Sequence, residues 1–548
     1  MHAAPSSLAQ VRHQSDRWVA TALFATGFLL VFRGWVFSGF DGAFGDDEDG
    51  YLALALVEHW RHVFSGAVHW TDPIVFFPQP GALGYTDAFF LFGVVYVPLR
   101  LIGVDVFTAY MLVMAGLAAI GFFGFRRLAI RHFGIPPPYA AIGAFLFAFA
   151  NMDAVKLIHA QTYSAMLLPV LCDLILSGWT SKRHGAALGG AAGVLYAALF
   201  LTGFQTAWFF GFVILLLALL YPVTFGFGAG RALAFEALTS RRAMVLAAAC
   251  GFAIGIIPFL ILYVPVFLTG HSRDFAEVAS NMPAWRDLAN ITPENAVWGR
   301  LLLWLGIVGR PDRPVWEVEL ALTPMVLAVF VVGLGILAIQ SRRNNDGADR
   351  IFVILGAAVI ILWLLQMEYF GIRPWRVVWA AVPGAKAIRY TFRSQLVANL
   401  LVALVLARVL AGIARPRFLT LPLCTFLVVE QVNLVWPAVM SRRAAFAWID
   451  AVTPPPEDCR CFYVTPNAGP PGRKGAQHQD DAMLFAEARG IPTVNGYSSW
   501  FPDGWALDEP SSSGYANAIR DWAGRNRLAQ GLCGLEPRTG RWTSGLPQ

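Results

Sequence analysis

Residues 45–51 read Gly45-Asp46-Asp47-Glu48-Asp49-Gly50-Tyr51, four carboxylates placed just after the first long apolar segment of the chain. Hydrophobic residues make up 57% of the sequence and charged residues only 14%, so acids this dense are unusual here. Ionisable side chains next to a bilayer are costly and most often mark a substrate, ion or proton site. We therefore expect this acidic cluster, residues 46–49, to belong to the functional site.

The composition is that of an integral membrane protein. The mean hydropathy is +0.56 over 548 residues, and apolar segments of membrane-spanning length recur along most of the chain. The net charge of +6 does not indicate a nucleic-acid partner, because Arg and Lys lie in short loops between apolar segments, as in the positive-inside pattern. Residues 18–39 are too long for a signal-peptide core and lack a cleavage pattern, which predicts a retained first span.

Basic residues set the predicted orientation. Arg12 and Arg17 precede the first span, which predicts a cytoplasmic N-terminus and places the acidic cluster outside. The arginines at 126–131 should be inside again, so only one of the apolar stretches 86–103 and 105–125 can cross. We assign 86–103 to the outer interface, because Pro98 and Arg100 interrupt it and such helices lie in the interface plane.

The remaining apolar segments alternate without conflict and give a polytopic all-α protein of about 11 spans. They are predicted at 18–39, 105–125, 139–152, 162–178, two within 186–222, 243–267, 320–340, 351–366, 391–410 and 418–438. The transmembrane domain is thus 1–438, with outer loops at 40–104, 153–161 and 268–318.

Residues 439–548 predict a small α/β domain on the extracytoplasmic face. Segments 461–465 and 492–495 have strand character, and 480–489 has the pattern of a helix ended by Gly490. Outside the cytoplasm, Cys533 could form a disulfide with either Cys459 or Cys461.

The acidic cluster has two chemical interpretations and one purely structural alternative. Close carboxylates repel, so either one is held protonated or a positive group neutralises them. Both arrangements suit a general base or a divalent metal site for Mg²⁺ or Mn²⁺. The alternative is a solvated loop that only sets topology.

Two further groups lie in predicted outer loops. Asp153, Lys156 and His159 put a carboxylate, an ammonium and an imidazole within two helical turns, although interfacial anchoring is an equal alternative. Arg389 and Arg393, with Lys386, stand where a helix enters the membrane from outside, a place that the positive-inside rule disfavours. Because the planar guanidinium recognises phosphate well, a lipid phosphate is the natural partner; pairing with acidic loops or head groups is the alternative.

A fourth group consists of the charged residues of both signs and the Trp residues of the loop 268–318. This combination suits sugar binding and an interfacial helix equally. Its members are Arg273, Asp274, Glu277, Trp285, Arg286, Asp287 and Trp298, with Glu317 and Glu319 at or just beyond its end. The sequence contains no phosphate-binding Gly-rich loop with Lys, no HExxH and no GxSxG, which disfavours an ATP-driven mechanism.

Together these ordered motifs resemble the GT-C class of membrane glycosyltransferases, which use polyprenyl-phosphate-linked sugars. The resemblance covers roughly 18–410: Gly45-Asp46-x-x-Asp49, the stretch 73–103 with its non-crossing helix, the polar loop 153–161, and the arginines at 389–393. Residues 495–505, Asn-Gly-Tyr-Ser followed by Pro502 and Gly504-Trp505, resemble the tail of bacterial members.

The resemblance implies an inverting transfer to a hydroxyl of a glycan, glycolipid or other acceptor, in the bacterial inner membrane. It implies Asp49 as the base, with Asp46 second, and Arg389 and Arg393 on the lipid phosphate. Asp153, His159, Lys156 and Tyr85 are the further candidate substrate contacts. Asp46, Asp49 and Asp153 are the metal ligands if a divalent cation is used.

The chain departs from the class at two points. It has no WWDYG, so the peptide-acceptor site of oligosaccharyltransferases is absent, and its second loop has one Asp rather than an acidic pair. Two other functions stay open at this point. A transporter or flippase would place polar residues in mid-span, and a non-catalytic scaffold would tolerate loss of the acids.

Overall fold

A computed structural model describes residues 7–309, 315–344, 347–413, 417–435, 440–465, 475–528, 530–537 and 539–547. Helices dominate it, because backbone groups in a bilayer must be paired within the segment. The first twelve helices are α1 Ser7–Phe37, α2 Asp49–Phe64, α3 Phe90–Leu101, α4 Val106–Phe133, α5 Pro137–Ala148, α6 Asn151–Lys156, α7 Leu168–Thr180, α8 Gly185–Phe200, α9 Phe204–Phe225, α10 Phe227–Leu238, α11 Arg242–Gly255 and α12 Ile257–Leu268.

The second half adds eleven helices, and five 3₁₀ turns are spread over the described residues. The helices are α13 Phe275–Ser280, α14 Gly299–Trp304, α15 Val315–Val318, α16 Pro324–Arg343, α17 Gly347–Gln366, α18 Trp375–Ala381, α19 Gln395–Gly412, α20 Arg417–Val429, α21 Arg442–Ala451, α22 Gly475–Arg489 and α23 Tyr515–Asn526. The 3₁₀ turns are Ala82–Tyr85, Ala160–Leu167, Trp285–Ala289, Ala385–Ala387 and Thr391–Ser394.

Eight helical segments of the described chain are long and apolar enough to cross a membrane. They are Asp16–Phe37, Val106–Phe133, Pro137–Lys156, Ala160–Thr180, Phe204–Phe225, Pro324–Arg343, Gly347–Gln366 and Thr391–Gly412. The other predicted spans correspond to shorter or broken helices, α8, α11 with α12, and α20. The count of 11 therefore stays a prediction, and residues 436–438 of the predicted last span lie outside the described residues.

Three details of the predicted topology have a structural counterpart. The hairpin within 186–222 is confirmed as α8 and α9, joined at residues 201–203. Helix α3, assigned to the interface, has 12 residues and is roughly 18 Å long, too short for a bilayer core of about 30 Å. The predicted span 243–267 is divided into α11 and α12 at Ile256, where Pro258 cannot donate a backbone hydrogen bond, and it stays a prediction as a single span.

The C-terminal region contains a three-stranded sheet with β4 in the centre. β4 (Leu532–Glu536) pairs in parallel with β3 (Cys461–Val464) and antiparallel with β5 (Arg541–Ser544). Strands β1 (Gly42–Ala43) and β2 (Met440–Ser441) form a separate antiparallel pair, so residues after the first span hold the start of this region.

The structure agrees with some of the elements predicted for this region and differs from others. Helix α22 ends before Gly490, which has a positive φ of 67°, as predicted. Residues 492–495 form only an isolated bridge, Phe462–Thr493, instead of a strand. Cys459 is bonded to Cys533, one of the two pairings left open, and Cys461 is free and buried. The domain boundary at 438 stays a prediction.

The C-terminal region packs against residues 40–104, the segment predicted as the first outer loop. Trp522 Nε1 donates to the Phe77 carbonyl at 2.9 Å, and Ser498 Oγ donates to the Tyr85 carbonyl at 2.7 Å. Gln477 Nε2 lies 3.0 Å from both carboxylate oxygens of Asp47. This region therefore lies directly against the loop that carries the acidic cluster.

Candidate functional site

Four residues singled out from the sequence, Asp49, Lys156, His159 and Arg393, form one cluster with Glu317, a member of the mixed-charge group of 268–318. Lys156 Nζ lies 2.8 Å from Glu317 Oε2, and Arg393 Nε lies 2.9 Å from the same oxygen while Nη2 binds Oε1. His159 Nε2 lies 3.5 Å from Glu317 Oε1 and 3.2 Å from Asp49 Oδ2. The result is a continuous chain of charged and polar groups running from Asp49 to Arg393.

Each of these side chains comes from the end of a different element. Asp49 is the first residue of α2, and Lys156 is the last residue of α6. His159 precedes the turn Ala160–Leu167, and Arg393 lies in the turn Thr391–Ser394 that leads into α19. The cluster therefore forms where several helices reach the same face of the molecule.

Burial and neighbouring charges set the protonation of Asp49. Burial, followed by the nearby charge of Asp46, raises the pKa of the Asp49 carboxyl to about 6, and Arg393 opposes this rise. The side chain still keeps 34% of its surface exposed, so a substrate can reach it. Near neutral pH it is an accessible carboxylate with enough basicity to accept a proton.

The two groups next to Asp49 differ in charge. Burial lowers the pKa of His159 well below its ordinary value, and Lys156 and Arg393 lower it further, so the imidazole is neutral. Burial alone would raise the pKa of Glu317, but the two cations outweigh it and hold that pKa well below the ordinary value. Glu317 is therefore a permanent anion that binds Lys156 and Arg393.

The other two predicted aspartates serve local structure. Asp46 Oδ1 accepts hydrogen bonds from the backbone N–H groups of Glu48 at 3.1 Å and Gly50 at 3.4 Å, at the start of α2. Asp153 Oδ2 accepts from Ala150 N at 3.0 Å, within its own helical turn. In both cases a carboxylate oxygen accepts a hydrogen bond from a backbone N–H group at the start of a helix. Such N–H groups have no partner within the helix itself.

This arrangement does not assemble the metal ligands expected from the sequence. Within the described ranges, no three His, Cys, Asp or Glu side chains are placed to hold an ion together. Divalent cations such as Mg²⁺ need several convergent oxygen ligands, whereas Asp46 and Asp153 bind backbone groups and Glu317 binds two cations. The residues present do not fit a divalent metal.

The two predicted arginines occupy different environments. Arg393 is buried at Glu317, whereas Arg389 is 44% exposed and pairs with Glu277, its Nε lying 3.1 Å from Oε1. Both guanidinium groups lie 5.0 Å from the ring centre of Tyr390. Arg389 thus stands at the accessible edge of the cluster.

The sequence indicated Glu277 and Glu317 only as members of the mixed-charge group of 268–318, and did not identify them as partners of the cations. The basic residues offered a partial signal: Lys156 and Arg393 each border an apolar segment, and the loops beside them contain only Asp153 and Glu368 as acids. A buried cation needs a counter-charge, so acids of other loops were candidate partners. Tyr85, also predicted, contributes its ring to the wall of a cavity next to this cluster.

Comparison with known proteins gives structural neighbours only. No protein-family model matches the chain, and no curated protein does. The oligosaccharyltransferase of Archaeoglobus fulgidus in the apo form is 12% identical, with a TM-score of 0.47 over 94% of this chain and 69% of that one. ArnT from Cupriavidus metallidurans bound to undecaprenyl phosphate is 14% identical, with a TM-score of 0.45 over 87% and 85%.

A third neighbour is the arabinofuranosyltransferase AftD from Mycobacteria, 15% identical, with a TM-score of 0.44 over 82% of this chain and 30% of that one. These neighbours are GT-C fold glycosyltransferases. They agree with the class that the sequence motifs resemble. Because every TM-score is below 0.5, they assign neither an activity nor a residue role to this chain, and both must come from the site itself.

Proposed function

We propose that this chain is an inverting glycosyltransferase of the GT-C class, which transfers a sugar from a polyprenyl-phosphate donor to an acceptor hydroxyl. The reaction would take place on the extracytoplasmic face of a bacterial inner membrane. One observation carries the proposal: an accessible carboxylate with a pKa of about 6, Asp49, lies in one polar cluster with the buried guanidinium of Arg393.

In the proposed reaction the acceptor oxygen attacks the anomeric carbon of the donor sugar. Its proton passes to a carboxylate oxygen of Asp49, and the bond from the anomeric carbon to the phosphate oxygen breaks with both electrons leaving on the phosphate. Attack from the face opposite the phosphate inverts the configuration. A base with a pKa of about 6 is roughly 90% ionised at pH 7, so most molecules are ready to accept the proton.

The cations of the cluster suit the leaving phosphate. Arg393 is held in a fixed orientation by Glu317, and Arg389 at the exposed edge can turn from Glu277 toward a phosphate that arrives from the bilayer. Oriented guanidinium groups stabilise charge that develops on the leaving group. The proposal therefore assigns the lipid phosphate to Arg389 and Arg393, with Lys156 adding positive charge behind them.

His159 would orient the reacting groups without titrating. Its Nε2 faces oxygens of Asp49 and Glu317, which favours a proton on that nitrogen. Its Nδ1 is buried without a hydrogen-bond partner among the described residues. A neutral imidazole in this state can donate from Nε2 and so hold the carboxylate of Asp49 in place for the substrate.

The test is Asp49→Asn, measured as transfer of sugar from polyprenyl-phosphate-linked donors in membranes that contain the protein. Loss of a general base costs about 10²- to 10⁴-fold, so we expect transfer to fall at least a hundredfold. Asp47→Asn is the matched control, because it makes the same change in the same cluster at a residue that pairs with Gln477. We expect it to keep activity within a few-fold.

Two results would contradict the proposal. Normal transfer by folded Asp49→Asn would remove the assignment of the base. Movement of a lipid-linked sugar across proteoliposomes by the wild type, with no new glycosidic bond formed, would favour the transporter instead.

A further inference from the structure

A cavity of about 280 Å³ lies beside the arginine segment 384–393 and is distinct from the chain of groups between Asp49 and Arg393. We call it the side cavity. Gly384 and Ala387 of that segment form part of its wall. The rest of the wall comes from the first outer loop, the start of α9, α12 and a C-terminal loop. The side cavity is therefore assembled from parts of the chain far apart in sequence.

The C-terminal loop is fixed in place by direct hydrogen bonds. The carbonyl of Tyr85 accepts from Ser498 Oγ at 2.7 Å and from the backbone N–H of Trp500 at 3.2 Å. Arg273 donates to the carbonyl of Ser499 at 3.0 Å, and its guanidinium lies 3.9 Å from the ring centre of Trp500. The indole of Trp500 is thus held as a rigid wall of the side cavity.

Arg273 also connects this wall to the proposed phosphate site. Its Nη1 lies 3.0 Å from Glu277 Oε1, the same oxygen that Arg389 contacts at 3.1 Å. One carboxylate therefore positions both the arginine that stacks on Trp500 and the arginine proposed for the lipid phosphate. A group covalently attached to that phosphate would lie next to the side cavity.

The lining of the side cavity combines aromatic faces with a few polar atoms. Tyr85, Tyr263 and Trp500 contribute rings, and the ring of His271 packs edge-on against Trp500 at 5.4 Å. Gln205 Oε1 is buried without a hydrogen-bond partner among the described residues. Apolar walls with a few placed polar groups are typical of sites for small organic ligands, and the C–H faces of a sugar pack well on aromatic rings.

The charge and volume of the side cavity further restrict the class of ligand that it can bind. None of the described residues that line the side cavity is Lys or Arg, and its one carboxylate, Asp87, accepts a hydrogen bond from Phe204 N at 2.9 Å. Burial raises the pKa of Asp87, which favours its uncharged form. The volume of 280 Å³ is at the lower limit of ligand sites, about 300–1,000 Å³, which suits one sugar unit better than an oligosaccharide.

We propose that the side cavity binds the sugar unit of the donor, that this unit is a single uncharged monosaccharide, and that Trp500 determines its selection. This inference rests on the proposed glycosyltransferase function, since it assumes a sugar attached to the phosphate near Arg389. It adds the substrate class and gives the C-terminal loop a part in specificity. Trp500 acts by binding the sugar and takes no part in proton transfer.

The experiment measures binding of lipids to the purified full chain in detergent. The probes are undecaprenyl phosphate alone and undecaprenyl phosphate carrying glucose, mannose, arabinofuranose or glucuronic acid. We expect at least one of the three neutral forms to bind tenfold or more tightly than the bare lipid, and the glucuronic acid form to gain nothing. Trp500→Ala should remove that gain and leave binding of the bare lipid unchanged.

Two further variants separate a loss of sugar binding from misfolding and from a general effect of removing a Trp side chain. Trp500→Phe should keep most of the gain, since an aromatic face remains, and a melting curve verifies that each variant folds. Trp304→Ala is the matched control, because the indole of Trp304 is exposed and Trp304 does not line the side cavity. It should bind all probes as the wild type does.

The possible failures are distinguishable. A gain that survives in folded Trp500→Ala, or a wild type that prefers no neutral form, overturns the inference and leaves the proposed function standing. Equal weakening of the bare lipid by Trp500→Ala assigns the side cavity to the lipid chain and also overturns the inference. A wild type that binds no undecaprenyl phosphate, with Arg393→Ala unchanged from it, overturns the proposed function itself.

Discussion

Two opposite effects act on the ionisation of the Asp49 carboxyl. As the first residue of α2 it lies at the positive end of a helix dipole, which ordinarily stabilises a carboxylate. Burial and the neighbouring Asp46 outweigh that effect and raise the pKa of its carboxyl from 3.8 to about 6. Carboxylates whose pKa is raised by several such influences are concentrated at functional sites.

This raised pKa predicts opposite pH effects on activity and stability. Activity should fall as pH drops through about 6, because the base becomes protonated. The folded state binds the proton of Asp49 more tightly than the unfolded state, whose carboxyl has a pKa near 3.8. The stability that this proton contributes is therefore lost as pH rises from about 4 to 6, and it does not return at higher pH. Asp49→Asn should therefore be inactive yet melt at a higher temperature than the wild type at pH 8.

Melting curves at pH 8 and pH 4, with a pH profile of kcat/KM for the wild type, provide the measurement. The melting difference should shrink toward zero at pH 4, where the wild-type carboxyl is protonated in the folded state. A variant that melts below the wild type at pH 8, or a profile flat between pH 5 and 7, would contradict the assigned ionisation.

At the scale of elements, α15 contributes the carboxylate that joins α6 to the start of α19. Lys156 and Arg393 are almost fully buried, and both bind Glu317. Removing one partner of a buried ion pair leaves an uncompensated charge and costs about 3–5 kcal/mol. Glu317→Ala should reduce the free energy of unfolding by about that amount.

The matched control for Glu317→Ala is Glu368→Ala, which removes a carboxylate from an exposed pair with Arg373. Exposed pairs contribute about 0–1 kcal/mol, so this variant should change stability little. Unfolding in mixed detergent micelles measures both. Equal effects of the two substitutions would show that Glu317 does not hold the buried cations.

The elements themselves were more predictable than their contacts. Apolar segments of the right length identified the long helices, because hydropathy is a local property of the sequence. The break at Ile256 and the pairing of Glu317 with Lys156 and Arg393 were not found. The first depends on one proline in an apolar run, and the second on which loop ends meet after folding. Asp49, Arg393 and His159 were singled out because each is an ionisable group at the end of an apolar segment, and their roles stay a prediction.

For the whole molecule, the sequence did not predict that the C-terminal region would pack against residues 40–104 and help to form a cavity there. Contacts such as Ser498 to the Tyr85 carbonyl join residues more than 400 positions apart. They involve backbone carbonyls and small side chains, which have no distinctive pattern in sequence. The docked arrangement requires α22 and the acidic cluster to lie on the same side of the membrane.

That requirement makes orientation testable in intact cells. With Cys172, Cys250, Cys424 and Cys461 replaced by Ala, Ser511→Cys marks the exposed C-terminal region and Arg343→Cys marks the exposed end of α16. The basic loop after α16 should be cytoplasmic. A membrane-impermeant maleimide added to spheroplasts should therefore label Ser511→Cys and spare Arg343→Cys, and both should react once the membrane is permeabilised. Because the acidic cluster and α22 are in direct contact, labelling of Arg343→Cys alone in sealed spheroplasts would put the whole candidate site in the cytoplasm and contradict the extracytoplasmic reaction.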